Sequence, residues 1–270
     1  MTERGPDSAG IAVYRNPTDQ NHTKLTVLCP NVEYDWRKVA DDLAQHYDGK
    51  VTFEVRGNQS TYIVPGRERG ITAWLHRHHP KLKLISSGST IEIYKAMGLP
   101  ERVINKFNIN ELTGTHALGH TRMATESAVT THHSHPFSTG EDLCLVHNGS
   151  LSNHNRLRKM LRKKGIIFHT DNDSEVAAGY IASRLQQGDN LEQALEAAIQ
   201  DLDGFYTFAV GTKDGFAVLR DPVACKPAII AETDDWVAMA SEYRAIAVLP
   251  GAKNANCWEP VPAQIYSWKH

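Results

Sequence analysis

No apolar run in the 270-residue sequence approaches the ~18 residues of a membrane-spanning helix. The first residues also lack the basic-then-apolar pattern of a secretory leader. These two absences set the expectation of a cytoplasmic protein with no membrane partner. Neither sign of charge is in excess: 29 Lys and Arg stand against 31 Asp and Glu, for a net charge of −2. That balance excludes the basic surplus a nucleic-acid surface needs, so no nucleic-acid partner is expected. Cysteine is scarce, with only Cys29, Cys144, Cys225 and Cys257 and no CxxC pair, which excludes a disulfide framework. Neither a GxGxxG nor a GKS/T stretch occurs, and there is no internal repeat, so Rossmann and P-loop sites are set aside and no cofactor is expected.

Histidine, by contrast, is plentiful. HRHH (His76, His78, His79) and HHSH (His132, His133, His135) invite a metal reading. Neither run has a companion Cys or carboxylate cluster at structural-zinc spacing, and one tight run seldom closes a tetrahedron. They are read as surface or substrate-loop histidines, with no metal expected.

Short β-type runs at 9–14 and 25–28 flank the turn-rich NPTDQN and predict a hairpin. WRKVADDLAQHY reads as a helix, VTFEVRGNQSTYIV as two strands broken at Gly-Asn, and ITAWLHRHH and STIEIYKAMG as two helices. LPERVINKF places Pro100 at a first helical turn and ends near Asn108. From His116 the pattern changes to apolar strands ending in polar residues, THALGHTRMAT and DLCLVHNGSL. A basic helix, NRLRKMLRKKG, follows. Two amphipathic helices, DSEVAAGYIASRLQQG and NLEQALEAAIQDLDG, are each begun by Asp or Asn and closed by Gly. FYTFAVGTKDGFAVLRD and AIIAETDDWVAMASE fold about KDG and TDD as two hairpins. Antiparallel hairpins on either side of consecutive helices predict an α+β protein with two sheets packed together and helices outside.

Four stretches stand out: RGPDSAG at 4–10, GHTRMAT at 119–125, HNG at 147–149 and DNDSE at 171–175. In this order, with RDPVACKP and Ala240-Ser241-Glu242 downstream, they resemble the class II, N-terminal-nucleophile type of glutamine amidotransferase domain. The resemblance covers nearly the whole chain. It implies a four-layer αββα sandwich of two antiparallel sheets, here lacking its first strand. It also implies a single domain over 1–270 with an α+β insertion at about 35–110. Short amidotransferase domains carry far fewer residues between the first two motifs. The insertion, together with IYKAMGLPERVINKF ahead of GHTRMATESAVTTHHSHPF, is similar to stand-alone amidotransferase subunits related to the first domain of glutamate synthase, including those attached to N-methylglutamate synthase.

The resemblance implies hydrolysis of the side-chain amide of L-glutamine through an acyl-enzyme thioester. Arg122 matches the guanidinium that holds the α-carboxylate, a task suited to a planar fork. Asp173 matches the carboxylate that receives the α-ammonium and could also be a helix N-cap; Asp171 is the rival register. Asn148 and Gly149 match the oxyanion hole, and His147 beside them is counted with the substrate-binding residues. Thr125, His132 and His133 belong to the loop that closes over glutamine. Met123 and Cys225 depart from the family's usual residues. Ammonia would be used by a synthase subunit on another polypeptide, with its own flavin or nucleotide.

In the resembled family RGxDSAG lies a few tens of residues after a Met-Cys-Gly start whose cysteine attacks while its own amine, with a pKa near ~7.7–8.0, serves as base. Here that motif opens the sequence, and none of the four cysteines can become N-terminal without removing it. Thr2 could be exposed by loss of Met1, but leaves no chain for the family's first strand. The expectation is a truncated amidotransferase subunit without its nucleophile, inactive as written, with a non-catalytic glutamine-binding or partner-binding subunit as the alternative.

Overall fold

The computed structural model describes residues 5–30, 33–123 and 129–270. The chain divides into two compact units, over 2–144 and 145–270. Both are α+β and their sheets are antiparallel. No helix among the described residues is long and apolar enough to cross a membrane.

The first unit runs through β1 (Ser8–Tyr14), β2 (His22–Leu28), α1 (Trp36–Tyr47), β3 (Thr52–Arg56), β4 (Gln59–Pro65), α2 (Glu68–His78), β5 (Lys83–Gly88), β6 (Ile91–Met97), α3 (Pro100–Phe107), β7 (His116–Arg122) and β8 (Phe137–Gly140). One sheet has the order β3-β4-β2-β5, the other β6-β1-β7. α1 starts where the Asp35 side chain accepts from the Lys38 amide, and its Val39 and Leu43 bury against Leu25, Tyr62 and Val64. α3 begins on Pro100, as its fixed φ favours, and stops where Asn108 turns left-handed at φ 50°. Its Val103 and Phe107 pack with Ala9, Tyr94 and Ala96.

Three expectations need correction. β1 and β2 are not a hairpin: β1 pairs with β6 and β7, whereas β2 pairs with β4 and β5. β1 is thus a central strand, and Gly10 permits that position, since a Cβ there would lie 2.2 Å from the His135 carbonyl oxygen. STIEIYKAMG is a strand, not a helix. Its charged residues, three apart, mimic a solvated helix face but are buried and paired. Glu92 accepts from Lys24 Nζ at 2.9 Å and Tyr94 Oη at 2.8 Å, while Lys95 Nζ donates to the Ser134 and Pro136 carbonyls at 2.8 and 3.1 Å. Finally, two of the histidines read as surface or substrate-loop residues are buried, which removes the surface reading for them. His79 lies 3.3 Å from Asp42, and burial pushes its imidazole below the ordinary range against the opposing pull of Asp42. His135 stacks on His120 with ring centroids 4.1 Å apart. Among the described residues no group of three or more His, Cys, Asp or Glu could hold a metal ion.

The β5–β6 turn hangs on one carboxylate. Asp142, beyond β8, accepts from the amide and hydroxyl of Ser89 (both 2.7 Å), the amide and hydroxyl of Thr90 (2.8 and 3.0 Å) and the Ile91 amide (3.0 Å). Its own amide donates to the Ser87 carbonyl at 2.8 Å.

The second unit takes up the chain within β9 (Leu143–Leu151), followed by α4 (His154–Lys163), α5 (Asp173–Gln186), α6 (Leu191–Asp201), β10 (Gly204–Thr212), β11 (Gly215–Arg220), β12 (Ile229–Glu232), β13 (Val237–Ala240), α7 (Tyr243–Ile246), β14 (Asn256–Trp258) and β15 (Ile265–Lys269). β10 and β11 turn at KDG and β12 and β13 at TDD, as expected. β15, which the sequence pattern did not announce, pairs with β11. Within this unit the larger sheet runs β15-β11-β10-β9, and the smaller is β13-β12-β14. α5 is buried continuously from Ser174 to Ser183, which its small residues Ala177, Ala178, Gly179 and Ala182 permit. α6 opens with a reciprocal capping box between Asn190 and Gln193.

Burial raises the Asp142 carboxyl, but the donors from Ser89, Thr90 and Ile91 outweigh it and hold the group below the ordinary carboxylate range. Asp142→Ala leaves three backbone amides without this acceptor and is expected to cost about 3 kcal/mol or more in urea unfolding. The Asp142 contribution is complete above the unfolded-state value near ~3.9 and disappears as pH falls through the lower folded value. The gap between wild type and Asp142→Ala should therefore narrow as pH falls from 5, and a constant gap would contradict this assignment.

Candidate functional site

Of the residues singled out by sequence, His147, Asn148, Gly149 and Asp173 fall in the second unit, on β9 and at the start of α5. Arg122 is the last residue of β7 in the first unit and is buried at 7% exposure. Its backbone carbonyl accepts from the Asp7 amide at 3.1 Å, so the RGPDSAG and GHTR motifs lie side by side on paired strands. Thr125 and Thr2 lie outside the described residues. His132 and His133 are described, with His133 Nδ1 2.8 Å from Thr130 Oγ1.

The first turn of α5 is built by its own sequence. Asn172, not Asp173, is the N-cap: its side chain accepts from the Ser174 amide at 2.8 Å. Glu175, three residues further on, does not close a capping box. It reaches back instead to the amides of His169 and Thr170, both at 2.8 Å, and the Thr170 hydroxyl at 2.7 Å. That leaves Asp173 as the first helical residue, its carboxylate turned to β9. Asp173 Oδ2 accepts from the Leu151 amide at 2.9 Å, and Oδ1 accepts from Ser174 Oγ at 3.3 Å. Sequence reasoning passed over Asn172, Ser174 and Glu175 as site builders, although N-x-x-E before an apolar run is a helix-start signal.

His147 lies against this turn, with Nδ1 2.9 Å from Ser174 Oγ and 3.9 Å from Asp173 Oδ1. A neutral imidazole carrying its proton on Nδ1 satisfies the sequence His147 to Ser174 to Asp173 in one direction. The ring is kept neutral: burial lowers its pKa to about 4, against the raising effect of Asp173 and with a smaller lowering from Lys226. The edge of the ring meets Phe208, which stacks on Tyr206. Next along β9, Asn148 is half-buried, and among the described residues its side-chain amide has no hydrogen-bond partner. Gly149 has φ 146°, and a Cβ there would sit 2.0 Å from the Phe205 carbonyl oxygen. Only glycine lets β9 approach β10 this closely beside His147. The arrangement places a carboxylate with one lightly bonded oxygen, a neutral imidazole and an uncommitted amide on adjoining elements.

RDPVACKP braces the same sheet. Asp221 accepts from the Tyr206 amide at 2.8 Å and from the amides of Val223 and Ala224 at 2.8 and 3.1 Å. Arg220 donates to the carbonyls of Ala224, Lys226 and Pro260. Ala224 is left-handed at φ 52°, a conformation that disfavours a side chain.

Comparison with known proteins places the chain in a family. The model of a glutamine amidotransferase domain family matches residues 120–248. The glutamine amidotransferase-like protein GlxB of Rhizobium meliloti (strain 1021) is 49% identical over 270 residues, covering 100% of this chain and 89% of that protein. A putative glutamine amidotransferase of Methanothermobacter thermautotrophicus is 30% identical, covering 98% of this chain and 90% of the relative. The chain belongs to the class II glutamine amidotransferase family. Among solved structures, the glutamine phosphoribosylpyrophosphate amidotransferase from B. subtilis shares the fold, with a TM-score of 0.55 at 19% identity, over 97% of this chain and 49% of that larger one.

Two outcomes follow from the geometry. Because His147 is neutral in the folded state, its contribution is complete above the unfolded value near ~6.5 and is lost as pH falls toward the folded value. His147→Gln should flatten the loss of urea stability between pH 6.5 and 4, and an unchanged slope would contradict the assignment. Ala224→Gly relieves a left-handed alanine and should raise stability by about 1 kcal/mol in the same assay.

Proposed function

We propose that the chain is the glutamine-recognising amidotransferase subunit of an ammonia-using synthase. Asp173 carries the reading: its Oδ2 is fixed by the Leu151 amide, while Oδ1 has only the longer 3.3 Å bond from Ser174 Oγ and keeps capacity to accept from an α-ammonium. Arg122 matches the family's α-carboxylate-binding residue by its place in the GHTR motif alone, and its planar fork suits that group. The unpartnered amide of Asn148 and the open backbone at Gly149 serve the oxyanion that forms on the side-chain carbonyl during acyl transfer. His147 forms a neutral wall and orients Ser174 and Asp173 rather than exchanging protons near neutrality.

In this reading a thiolate adds to the amide carbon of L-glutamine and the C–N bond breaks, with a proton delivered to the leaving ammonia. Water then cleaves the thioester to glutamate. In the resembled family the attacking thiolate and its base belong to one cysteine with a free α-amine. Residues 1–270 are taken as one amidotransferase domain interrupted by an α+β insertion at about 35–110. The length of that insertion and the motif order support an acceptor of the glutamate-synthase or N-methylglutamate-synthase type.

Titration calorimetry with L-glutamine tests the recognition step. The wild type should bind, and Arg122→Ala and Asp173→Asn should each weaken binding by at least tenfold, since leaving one charge of a buried pairing unpaired typically costs ~2–5 kcal/mol. Unchanged affinity in both variants would remove the assignment.

A further inference from the structure

Helix α4 carries Arg156, Arg158, Lys159, Arg162 and Lys163, with Lys164 directly after, and no acidic residue. Its apolar side is already buried in the protein through Leu157 and Leu161, together with Arg158. The remaining five cations are exposed, and among the described residues none of them forms an ion pair. Arg156, Lys159 and Lys163 recur three and four residues apart, so like charges face one another along one line of the helix. The helix C-terminus favours Arg162 and Lys163 but offers nothing to Arg156 in the first turn. Two apolar side chains stand among these charges: Met160 at 39% exposure and Ile167, just past the helix, at 72%. Cations surrounding exposed apolar anchors fit an acidic protein face with its own apolar centre. A phosphate backbone fits less well, because the chain's net charge is −2. A bilayer fits less well because the helix's apolar stripe is turned inward.

The helix also touches the site from its buried side. The Arg158 guanidinium donates to the Asn172 carbonyl at 3.1 Å and to Asn155 Oδ1 at 2.9 Å. Asn172 caps α5 and directly precedes Asp173. A molecule seated on α4 is therefore one guanidinium away from the turn that carries the ammonium-binding carboxylate.

We propose that the exposed face of α4 is the docking surface for an acidic face of the synthase subunit that accepts ammonia, an inference that rests on the functional reading above. The test uses the tagged full-length chain, purified with its synthase from its source. A carbodiimide joins lysine amines to neighbouring carboxylates at zero length. Lys159, Lys163 or Lys164 should be joined to Asp or Glu of the synthase subunit. The variant R156Q/K159Q/R162Q/K163Q should recover at least tenfold less of that subunit, and K163E alone should show a smaller loss. Crosslinks only at other lysines, or full recovery by the fourfold variant, overturn the proposal. So does tighter binding of the wild type to a 20-base-pair DNA duplex or to phosphatidylserine vesicles than to the synthase. L-Glutamine affinity, measured on the same samples, should be equal in wild type and variants. Its absence in the wild type counts against the functional reading, whereas its retention with loss of the synthase places the defect on α4.

Discussion

The seating of the first turn of α5 on β9 is the constraint on which the candidate site depends. Asp173 does two things at once: one carboxylate oxygen takes the Leu151 amide, and the other is held beside Ser174 and His147. A free helix N-terminus would leave its amides to water. Here Asn172 takes the Ser174 amide, while Glu175 fastens the preceding loop. Asp173 is thereby released from capping and can face outward from the helix toward the strand. Burial of His147 follows from the same contact, and with it the neutrality of the imidazole.

Close approach of strands is the second requirement. Gly149 on β9 meets the backbone of β10, and Gly204 at the start of β10 meets the backbone of β9, where a Cβ would sit 2.2 Å from the Ser150 carbonyl oxygen. Asp221 then holds β10 from the other side through the Tyr206 amide. The site is thus carried on a sheet whose backbone is fixed at several points, which limits the reorganisation needed when charge develops on a bound amide. Its counterpart in the first unit is the buried Lys24–Glu92 pair, which ties the end of β1, through the Arg15 and Asn16 carbonyls, to β2 and β6.

Most of the second unit was legible in the sequence because each element carries local signals. Asn190 announces α6 and KDG and TDD mark the hairpins, whereas α5, expected to be amphipathic, is buried on every side from Ser174 to Ser183. The first unit was less legible where buried charge replaced the usual alternation. Glu92 and Lys95 suggested a helix, and only their long-range partners Lys24, Ser134 and Pro136 make a strand possible. Pairing of β1 with β6 and β7 rests on contacts spanning most of the unit, which no local window contains. The residues at the candidate site were named from motif order, but Ser174, Glu175 and the N-cap at Asn172 emerged only once β9 and α5 were seen together.

A crystal structure of the chain with L-glutamine or L-glutamate bound tests the central claim most directly. The account predicts the α-ammonium within hydrogen-bond distance of Asp173 Oδ1, with the Leu151 amide still on Oδ2 and the side-chain carbonyl directed at Asn148. Amino acid bound away from β9 and α5, or an Asp173 carboxylate that takes no part in holding it, would contradict the account.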